Sequence, residues 1–231
     1  MAARLLGRFG LYEGSPSTSR YVTLLGATLA ARVGRPELVF RFAVLNSGDP
    51  GAYATPGGYV FVTRGLLASL KSESELAGVL AHEIAHVNER HMYLELMPDR
   101  EVSTGEAVVR LLSMGKGDVS GSLSQMVDQG LKMLLEDGLG AEKEKAADEA
   151  AVHYAAAFQY EPASLRIVIE RLKATAREKQ QTELAARVAN LKAYIKREGM
   201  RTEPAAAPRP LAARFERAMR PPRAVAGEAP P

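Results

Sequence analysis

The stretch AHEIAHVNERH, residues 81–91, decides how this chain folds and what chemistry it can carry. It contains three of the four histidines in the chain, and His82 and His86 are four positions apart with Glu83 directly after the first. Residues four apart lie on the same face of an α-helix, one turn from each other. If the segment is helical, the two imidazoles can therefore bind one metal ion, with the glutamate beside it.

The residues before the motif predict that it lies on a buried helix. Ser72 and Glu75 have the spacing of a capping box, which marks a helix start. Apolar residues then recur at helical spacing, at Leu76, Leu80, Ile84 and Val87. Imidazoles on such an apolar segment are costly unless they have a partner. The pattern therefore favours a metal site over an exposed helix with incidental histidines.

Zinc is the metal that these side chains favour, because the chain has no cysteine and histidine combined with carboxylate binds zinc. One ion per chain is expected. Glu83 is placed to act as general base and then as acid toward the leaving amine. His91 is five residues past His86, about 140° off its helical face, and is expected at the helix end or behind a ligand. A structural role is favoured for the isolated His153, with oxyanion binding as the alternative.

A third ligand must come from elsewhere, because a catalytic zinc has three protein ligands and one open position. The segment EKEKAAD, residues 142–148, places Glu144 and Asp148 on one helical face among small alanines. One carboxylate can bind the metal while the other accepts the spare N–H of a ligand histidine. The alternative is a solvated charged face, since Lys143 and Lys145 are adjacent.

Outside these helices, the sequence predicts a small β-sheet within a mostly helical α+β fold. The segment LVFRFAVLNSG, from Leu38, alternates as a strand does. AYATPGGYVFVTRG predicts two extended pieces around Pro56, Gly57 and Gly58, either as a hairpin or as a bent edge strand.

The chain is expected to form one domain over residues 1–200. Within it, the glycine-punctuated segment 97–141 is expected to be a flexible, lid-like insertion. Residues 201–231 hold seven of the thirteen prolines and are expected to form a disordered tail.

Charge and hydropathy argue against a nucleic-acid-binding surface on the domain and against a transmembrane helix. The net charge of +3 arises entirely within residues 201–231, where six arginines oppose three glutamates, so no basic surface for nucleic acid is expected on the domain. No run of about 18 uncharged apolar residues occurs, which predicts no transmembrane helix. The N-terminal MAARLLGRFGLYEG lacks the apolar core of a signal peptide. The protein is therefore expected to be cytoplasmic or to have lost a targeting segment.

Several motifs in the same order resemble the zinc metallopeptidase family of HtpX, CAAX prenyl protease and BepA type. The similarity runs from about Tyr21 to Tyr194, and its strongest parts are PGGYVFVTRGLL, SESELAGVLAHEIAHVNERH, and EKAAD followed by FQYEP. It implies a zincin-like metalloprotease core packed on the HExxH helix. The site residues that it implies are His82, His86 and Glu144 as zinc ligands, Asp148 as their companion and Glu83 as the catalytic base.

The resemblance also implies where a substrate binds. It places Pro56, Gly57 and Gly58 on an edge strand above the active-site helix, to which an extended peptide adds by main-chain hydrogen bonds. The family's later His-Pro pair is missing here, and TELAARVANL stands in its place. Arg187 matches the arginine that follows that pair, and together with His153 it is the candidate for transition-state support.

The implied function is a zinc endopeptidase that cuts extended or misfolded polypeptides in envelope quality control. The soluble branch of the family implies a periplasmic or otherwise exported protein, held near the membrane by an N-terminal anchor that this chain lacks. One alternative is a latent enzyme with residues 97–141 over its cleft. Another is a non-catalytic chaperone or scaffold that binds unfolded chains through its edge strand. Glu83 favours an enzyme, since a structural zinc site needs no general base.

Overall fold

The computed structural model describes residues 1–96, 116–203 and 209–220, and its elements are numbered here in chain order within those residues. Helices dominate and three short strands form one sheet, so the predicted mostly helical α+β class is confirmed. The helices are α1 (Ala2–Phe9), α2 (Pro16–Val33), α3 (Arg64–Ser69), α4 (Glu73–Asn88), α5 (His91–Leu96), α6 (Lys116–Lys132), α7 (Ala141–Ala157), α8 (Ser164–Lys173), α9 (Glu178–Arg197) and α10 (Arg209–Met219). The strands are β1 (Arg41–Leu45), β2 (Ala52–Thr55) and β3 (Tyr59–Thr63), and a π-helical turn, Met133–Asp137, follows α6.

The sheet has the order β1-β3-β2, with β1 parallel and β2 antiparallel to β3. Strand β2 lies at the edge, because no strand of the described residues pairs with its other side. Pro56, Gly57 and Gly58 form the turn between β2 and β3, so the hairpin alternative describes them and the edge strand itself ends just before them. Both glycines have a left-handed backbone, with φ of 92° and 85°, which glycine adopts without steric cost.

The two faces of the sheet pack on different helices. One face contributes Val44, Val60 and Val62 to the main core, which also holds buried residues of α2, α4, α8 and α9. On the other face, Leu45 and Phe61 pack against Leu5 of α1. Helix α4 contacts β2 and β3 as well as α2, α5, α7, α8 and α10, which places it in the centre of the fold.

The start of α4 follows the predicted capping pattern. The Ser72 side chain accepts a hydrogen bond from the Glu75 backbone N–H at 3.2 Å. The Glu75 carboxylate accepts in turn from the Lys71 backbone N–H and from the Arg171 guanidinium. Every residue of α4 from Glu73 to Val87 is buried, so its polar side chains need partners inside the protein.

The tail prediction is wrong for part of its length, because α10 is a packed helix. Phe215 and Ala218 are buried in the groove beside α2 and α4. The Thr18 hydroxyl donates to the Ala218 carbonyl at 2.6 Å. The apolar positions 211, 215 and 218 share one helical face, a period that the Pro- and Arg-rich composition obscured. Residues 204–208 and 221–231 lie outside the described residues.

The predicted insertion is described only in its second half. Residues 97–115 lie outside the described residues, while the rest comprises α6, the π-helical turn and the connection to α7. The lid therefore stays a prediction. Among the described residues, no helix combines the length and hydropathy needed to span a membrane.

Candidate metal centre

Helices α4 and α7 bring the predicted metal ligands together. Helix α4 supplies His82 and His86, and α7 supplies Glu144 from its first turn. The two helices pack against each other, and both contribute small buried side chains. These side chains are Ala81 and Ala85 on α4 and Ala147 and Ala151 on α7.

The ligand atoms of the three side chains lie close to the spacing that a tetrahedral ion requires. Nε2 of His82 lies 2.9 Å from Nε2 of His86. The Glu144 carboxylate oxygens lie 3.5 Å from the first nitrogen and 3.6 Å from the second. Bonds of about 2.0–2.1 Å to zinc in a tetrahedron give ligand separations of about 3.3–3.4 Å. The three residues therefore fit a bound metal ion.

The electrostatics of the cluster favour a cation at this point. Burial lowers the pKa of His82, but the carboxylates of Asp148 and Glu144 outweigh it and raise that pKa to about 9. Burial, with the positive charge on His82, lowers the pKa of His86. Two ring nitrogens and a carboxylate that face one another can coexist only if a proton or a metal ion sits among them.

Asp148 and Arg187 hold the outer side of the cluster. Oδ1 of Asp148 lies 3.0 Å from Nδ1 of His82. The Arg187 guanidinium donates to both oxygens of Asp148, at 2.7 and 2.9 Å, and its Nη1 lies 2.8 Å from Glu144 Oε2. Burial raises the pKa of both carboxyl groups, but His82 and Arg187 outweigh it and lower both pKa values, with His82 the larger cause at Glu144 and Arg187 at Asp148. Both carboxylates are thus held ionised.

His91 supports the second histidine. The chain turns at Arg90, whose φ of 57° ends the α4 direction, and α5 then begins at His91. Nδ1 of the buried His91 lies 2.9 Å from Nδ1 of His86. For His86 Nε2 to offer its lone pair to a metal, its Nδ1 must carry the proton and donate it to His91.

Glu83 faces the cavity beside the ligands. This cavity has a volume of about 190 Å³ and is lined by His82, Glu83, His86, Glu144 and Arg187. Within residues 1–96, 116–203 and 209–220, no side chain donates a hydrogen bond to the Glu83 carboxyl group. Burial raises its pKa to about 7, with His82 acting in the opposite direction. Such a carboxyl group can accept and release a proton near neutral pH.

Other predicted site residues lie further away. Pro56 and Gly57 line a neighbouring cavity that shares His86 with this one, and Gly58 completes the same turn. His153 is exposed on α7, and its Nε2 lies 2.6 Å from the Tyr194 hydroxyl, so the structure does not bring it to the ligands.

The apolar wall of the metal cavity was not predicted from the sequence. It includes Leu134, Leu139, Leu172 and Leu184, which come from the π-helical turn, the connection to α7, α8 and α9. Each leucine fits the ordinary apolar pattern of its own segment, so the sequence does not indicate that the four line one cavity. Their shared position becomes visible only when the helices are packed together.

Comparisons with known proteins agree with this geometry. The model of Peptidase family M48 matches residues 16–214. A putative beta-barrel assembly-enhancing protease of Vibrio cholerae is 42% identical over 77 residues, which are 33% of this chain and 16% of that protein. The mitochondrial metalloendopeptidase OMA1 of Schizosaccharomyces pombe is 36% identical over 110 residues, which are 48% of this chain and 32% of that protein.

The beta-barrel assembly-enhancing protease of Escherichia coli is 35% identical over 77 residues, again 33% of this chain and 16% of the relative. The chain thus spans less than a third of the length of these curated relatives. The family match, by contrast, covers most of the chain and includes α4, α7 and α9, which carry the metal cluster. The recognition made from the sequence motifs is therefore confirmed, and the chain belongs to peptidase family M48, whose members are metal-dependent peptidases.

Proposed function

We propose that this chain is a zinc-dependent endopeptidase that hydrolyses extended or misfolded polypeptides. One observation carries the proposal. A buried group of metal-binding atoms shares a cavity with a carboxyl group, Glu83, that has no hydrogen-bond donor among the described side chains and has a pKa of about 7. A site built only for structure would place a partner against such a group.

The proposed zinc ligands are His82, His86 and Glu144, with one ion per chain. Asp148 fixes the tautomer of His82, and Arg187 orients both carboxylates through its hydrogen bonds. Zinc, when bound, supplies Lewis acidity that polarises the scissile carbonyl and favours deprotonation of the attacking water.

Glu83 moves the proton in this proposal. Its carboxylate takes a proton from the attacking water as the oxygen bonds to the carbonyl carbon. It then returns that proton to the leaving nitrogen as the C–N bond breaks, so the peptide and one water give a carboxylic acid and an amine. Arg187 carries a fixed positive charge into the same cavity and is the candidate for stabilising the negative oxygen of the transition state.

The edge strand is the proposed place for the substrate backbone. Ala52 and Ala54 of β2 line the metal cavity beside His82 and Glu83. An extended polypeptide that adds to β2 by main-chain hydrogen bonds would therefore pass in front of the ligands. This mode depends little on side chains and suits unfolded substrates.

The proposed setting is quality control of envelope or otherwise exported proteins, with the chain acting near a membrane. Support comes from the names of the relatives, two of which refer to beta-barrel assembly. A non-catalytic chaperone or scaffold is the competing function. The position of Glu83 favours the peptidase, since binding alone requires no general base.

Two measurements on the purified chain test the proposal. Elemental analysis should find about one zinc ion per chain, and casein digestion should stop with chelator and resume with added zinc. Glu144→Ala should lose zinc, whereas the matched change at the exposed Glu142 on the same helix should retain it. Full zinc retention in Glu144→Ala would show that another residue supplies the third ligand. Stoichiometric zinc in a wild-type protein that does not digest casein would favour the scaffold function.

A further inference from the structure

A second cavity, of about 330 Å³, lies beside the metal cavity. It is bounded by the end of α4, the start of α5 and the turn between β2 and β3. His86 and Ala54 line both cavities, so one of the proposed zinc ligands forms part of the wall between them. The second cavity therefore adjoins the proposed catalytic site.

The order of residues along β2 relates the two cavities to a bound peptide. Gly51, Ala52 and Ala54 line the metal cavity, whereas Ala54 and the next residues up to Gly57 line the second cavity. An extended chain rises about 3.3 Å per residue and alternates its side chains. A peptide aligned along β2 would therefore reach the second cavity within roughly two to four residues of the metal.

The second cavity has the lining and the size for one large apolar side chain. Val87 and Met92 are buried at its base and Leu38 forms part of its wall. Its volume is near the lower limit of the roughly 300–1,000 Å³ found for small-molecule pockets. It is too small for a folded partner and large enough for leucine, methionine or phenylalanine.

The charges beside this cavity are positive. Arg35 and Arg90 both line it, and Glu37 pairs with Arg35, with the Arg35 Nε atom 2.7 Å from the carboxylate. No carboxylate is among the described residues that line the cavity, so its charged lining side chains are guanidinium groups. A lysine or arginine side chain would have to approach like charge and lose water, which is unfavourable.

We propose that the cavity between α4, α5 and the β2–β3 turn is a substrate subsite that selects a large aliphatic or aromatic side chain close to the scissile bond and rejects lysine and arginine. This inference rests on the proposed peptidase function. It adds a side-chain preference to a binding mode that otherwise depends on the substrate main chain.

Cleavage-site mapping on unfolded casein tests the subsite. Wild-type cuts should share a large apolar residue at one fixed position relative to the scissile bond, with lysine and arginine depleted there. Leu38→Trp fills the cavity from a partly buried wall residue and should reduce that preference at least about tenfold, in favour of alanine and glycine. Val39→Trp is the matched control, since Val39 is 66% exposed and does not line the cavity. Arg90→Glu should allow cleavage at sites that have lysine or arginine in this position.

A binding measurement keeps the subsite separate from catalysis. Zinc-loaded Glu83→Gln protein is titrated with labelled glycine- and serine-rich peptides that contain a single phenylalanine or a single lysine. The phenylalanine peptide should bind more tightly, and adding Leu38→Trp should weaken it about tenfold, whereas adding Val39→Trp should not. Thermal unfolding and zinc content verify that each variant is folded.

The outcomes of the two measurements separate the two proposals. Absence of chelator-sensitive cleavage by the wild type would overturn the peptidase function, and the peptide titration would still decide the subsite. An unchanged cleavage pattern in an active Leu38→Trp variant, or equal binding of the two peptides, would overturn the subsite while leaving the peptidase function in place.

Discussion

Helix α4 carries a buried polar cluster near each end, and the two clusters differ in how donors and acceptors match. At the first residue of α4, the Glu73 carboxylate accepts hydrogen bonds from the hydroxyls of Tyr21 and Tyr160 and from the Arg214 guanidinium. Near the other end, the ring nitrogens of His82 and His86 and the carboxylate of Glu144 converge as acceptors. The donors of the protein match the acceptor in the first cluster, whereas the second cluster needs a proton or a metal ion among its ligand atoms.

This difference separates stability from function on a single helix. The satisfied cluster joins α2, α4, the loop after α7 and α10, because its four members come from these segments. Removing Glu73 leaves the donors of Tyr21, Tyr160 and Arg214 without their shared acceptor and lowers stability. The acceptor-rich cluster is unfavourable without a cation, and proteins retain such arrangements at functional sites. Substitutions in the two clusters should therefore change different measurements.

The largest expected effect is on catalysis, from Glu83→Gln. Glutamine has nearly the same shape but cannot take a proton from the attacking water. Loss of a general acid–base group costs about 100- to 10,000-fold in kcat, or about 3–5 kcal/mol in the barrier. Zinc content and the melting temperature should stay at wild-type values. The measurement is cleavage of an unfolded substrate at matched zinc content.

Glu89→Gln is the control for this prediction, because Glu89 is an exposed glutamate just past the end of the same helix. It should retain full activity. Equal cleavage rates for Glu83→Gln and the wild type would show that Glu83 is not the general base. The proposed peptidase mechanism at the metal cluster would then be wrong.

Glu73→Ala should affect stability and spare metal binding. It removes the acceptor of two tyrosine hydroxyls and one guanidinium, but the Arg214 side chain is 55% exposed and can recover water. We expect a loss of about 2–3 kcal/mol in the free energy of unfolding. In a domain of this size that corresponds to a melting temperature lower by roughly 5–10 °C.

The matched control is Glu216→Ala on α10, since Glu216 is exposed and lies close in sequence to Arg214. It should leave the melting temperature unchanged. Weakened zinc affinity in a folded Glu73→Ala protein would show that the two clusters are energetically coupled.

His91→Leu should weaken zinc binding without removing a ligand. The change takes away the acceptor of the His86 Nδ1 proton, and loss of such a partner costs about 10- to 100-fold in metal affinity. His91→Gln keeps an oxygen that can accept the proton and should show a smaller loss. Chelator competition measures the affinities. His153→Leu, at the exposed histidine of α7, should match the wild type, and equal affinities for all these proteins would leave His91 without a positioning role.

How much the sequence predicts depends on whether a feature is local. The pair His82 and His86 and the pair Glu144 and Asp148 each belong to one helix, so spacing alone placed each pair on one face. The contact of His91 with His86 depends on the turn at Arg90, where helical geometry no longer applies. Helical spacing puts His91 off the ligand face, at the helix end or behind a ligand, and the turn at Arg90 brings its Nδ1 within 2.9 Å of Nδ1 of His86.

Long-range contacts explain the remaining differences. Only the family resemblance identified Arg187 as a candidate site residue, because nothing in its local sequence pattern indicates that it reaches the carboxylates of α7. Helix α10 was missed since its prolines and arginines suggest disorder, while its stabilising partners, Glu73 and Thr18, lie more than 140 residues earlier in the chain. Such contacts become visible only after the helices are assembled.

The smallest expected effect concerns how the stability of the Glu73 cluster depends on pH. Burial raises the pKa of Glu73, but the hydrogen bonds from Arg214, Tyr21 and Tyr160 outweigh it, so the pKa in the folded protein lies below the ordinary 4.5. The unfolded chain therefore binds this proton more readily than the folded protein does. The stabilisation is fully present above pH 4.5 and is lost as the pH falls through the folded value.

Comparison of the wild type with Glu73→Gln isolates this effect. Both proteins are unfolded with urea in the presence of chelator, from neutral pH to about pH 3. Glu144 and Asp148 titrate in both proteins, so their contributions cancel in the difference. The difference in the free energy of unfolding should be constant near neutral pH and should shrink below pH 4.5 as the wild-type carboxylate becomes protonated. A difference that stays constant over the whole range would mean that Glu73 keeps its ordinary pKa when folded, and that its hydrogen bonds do not favour the charged form.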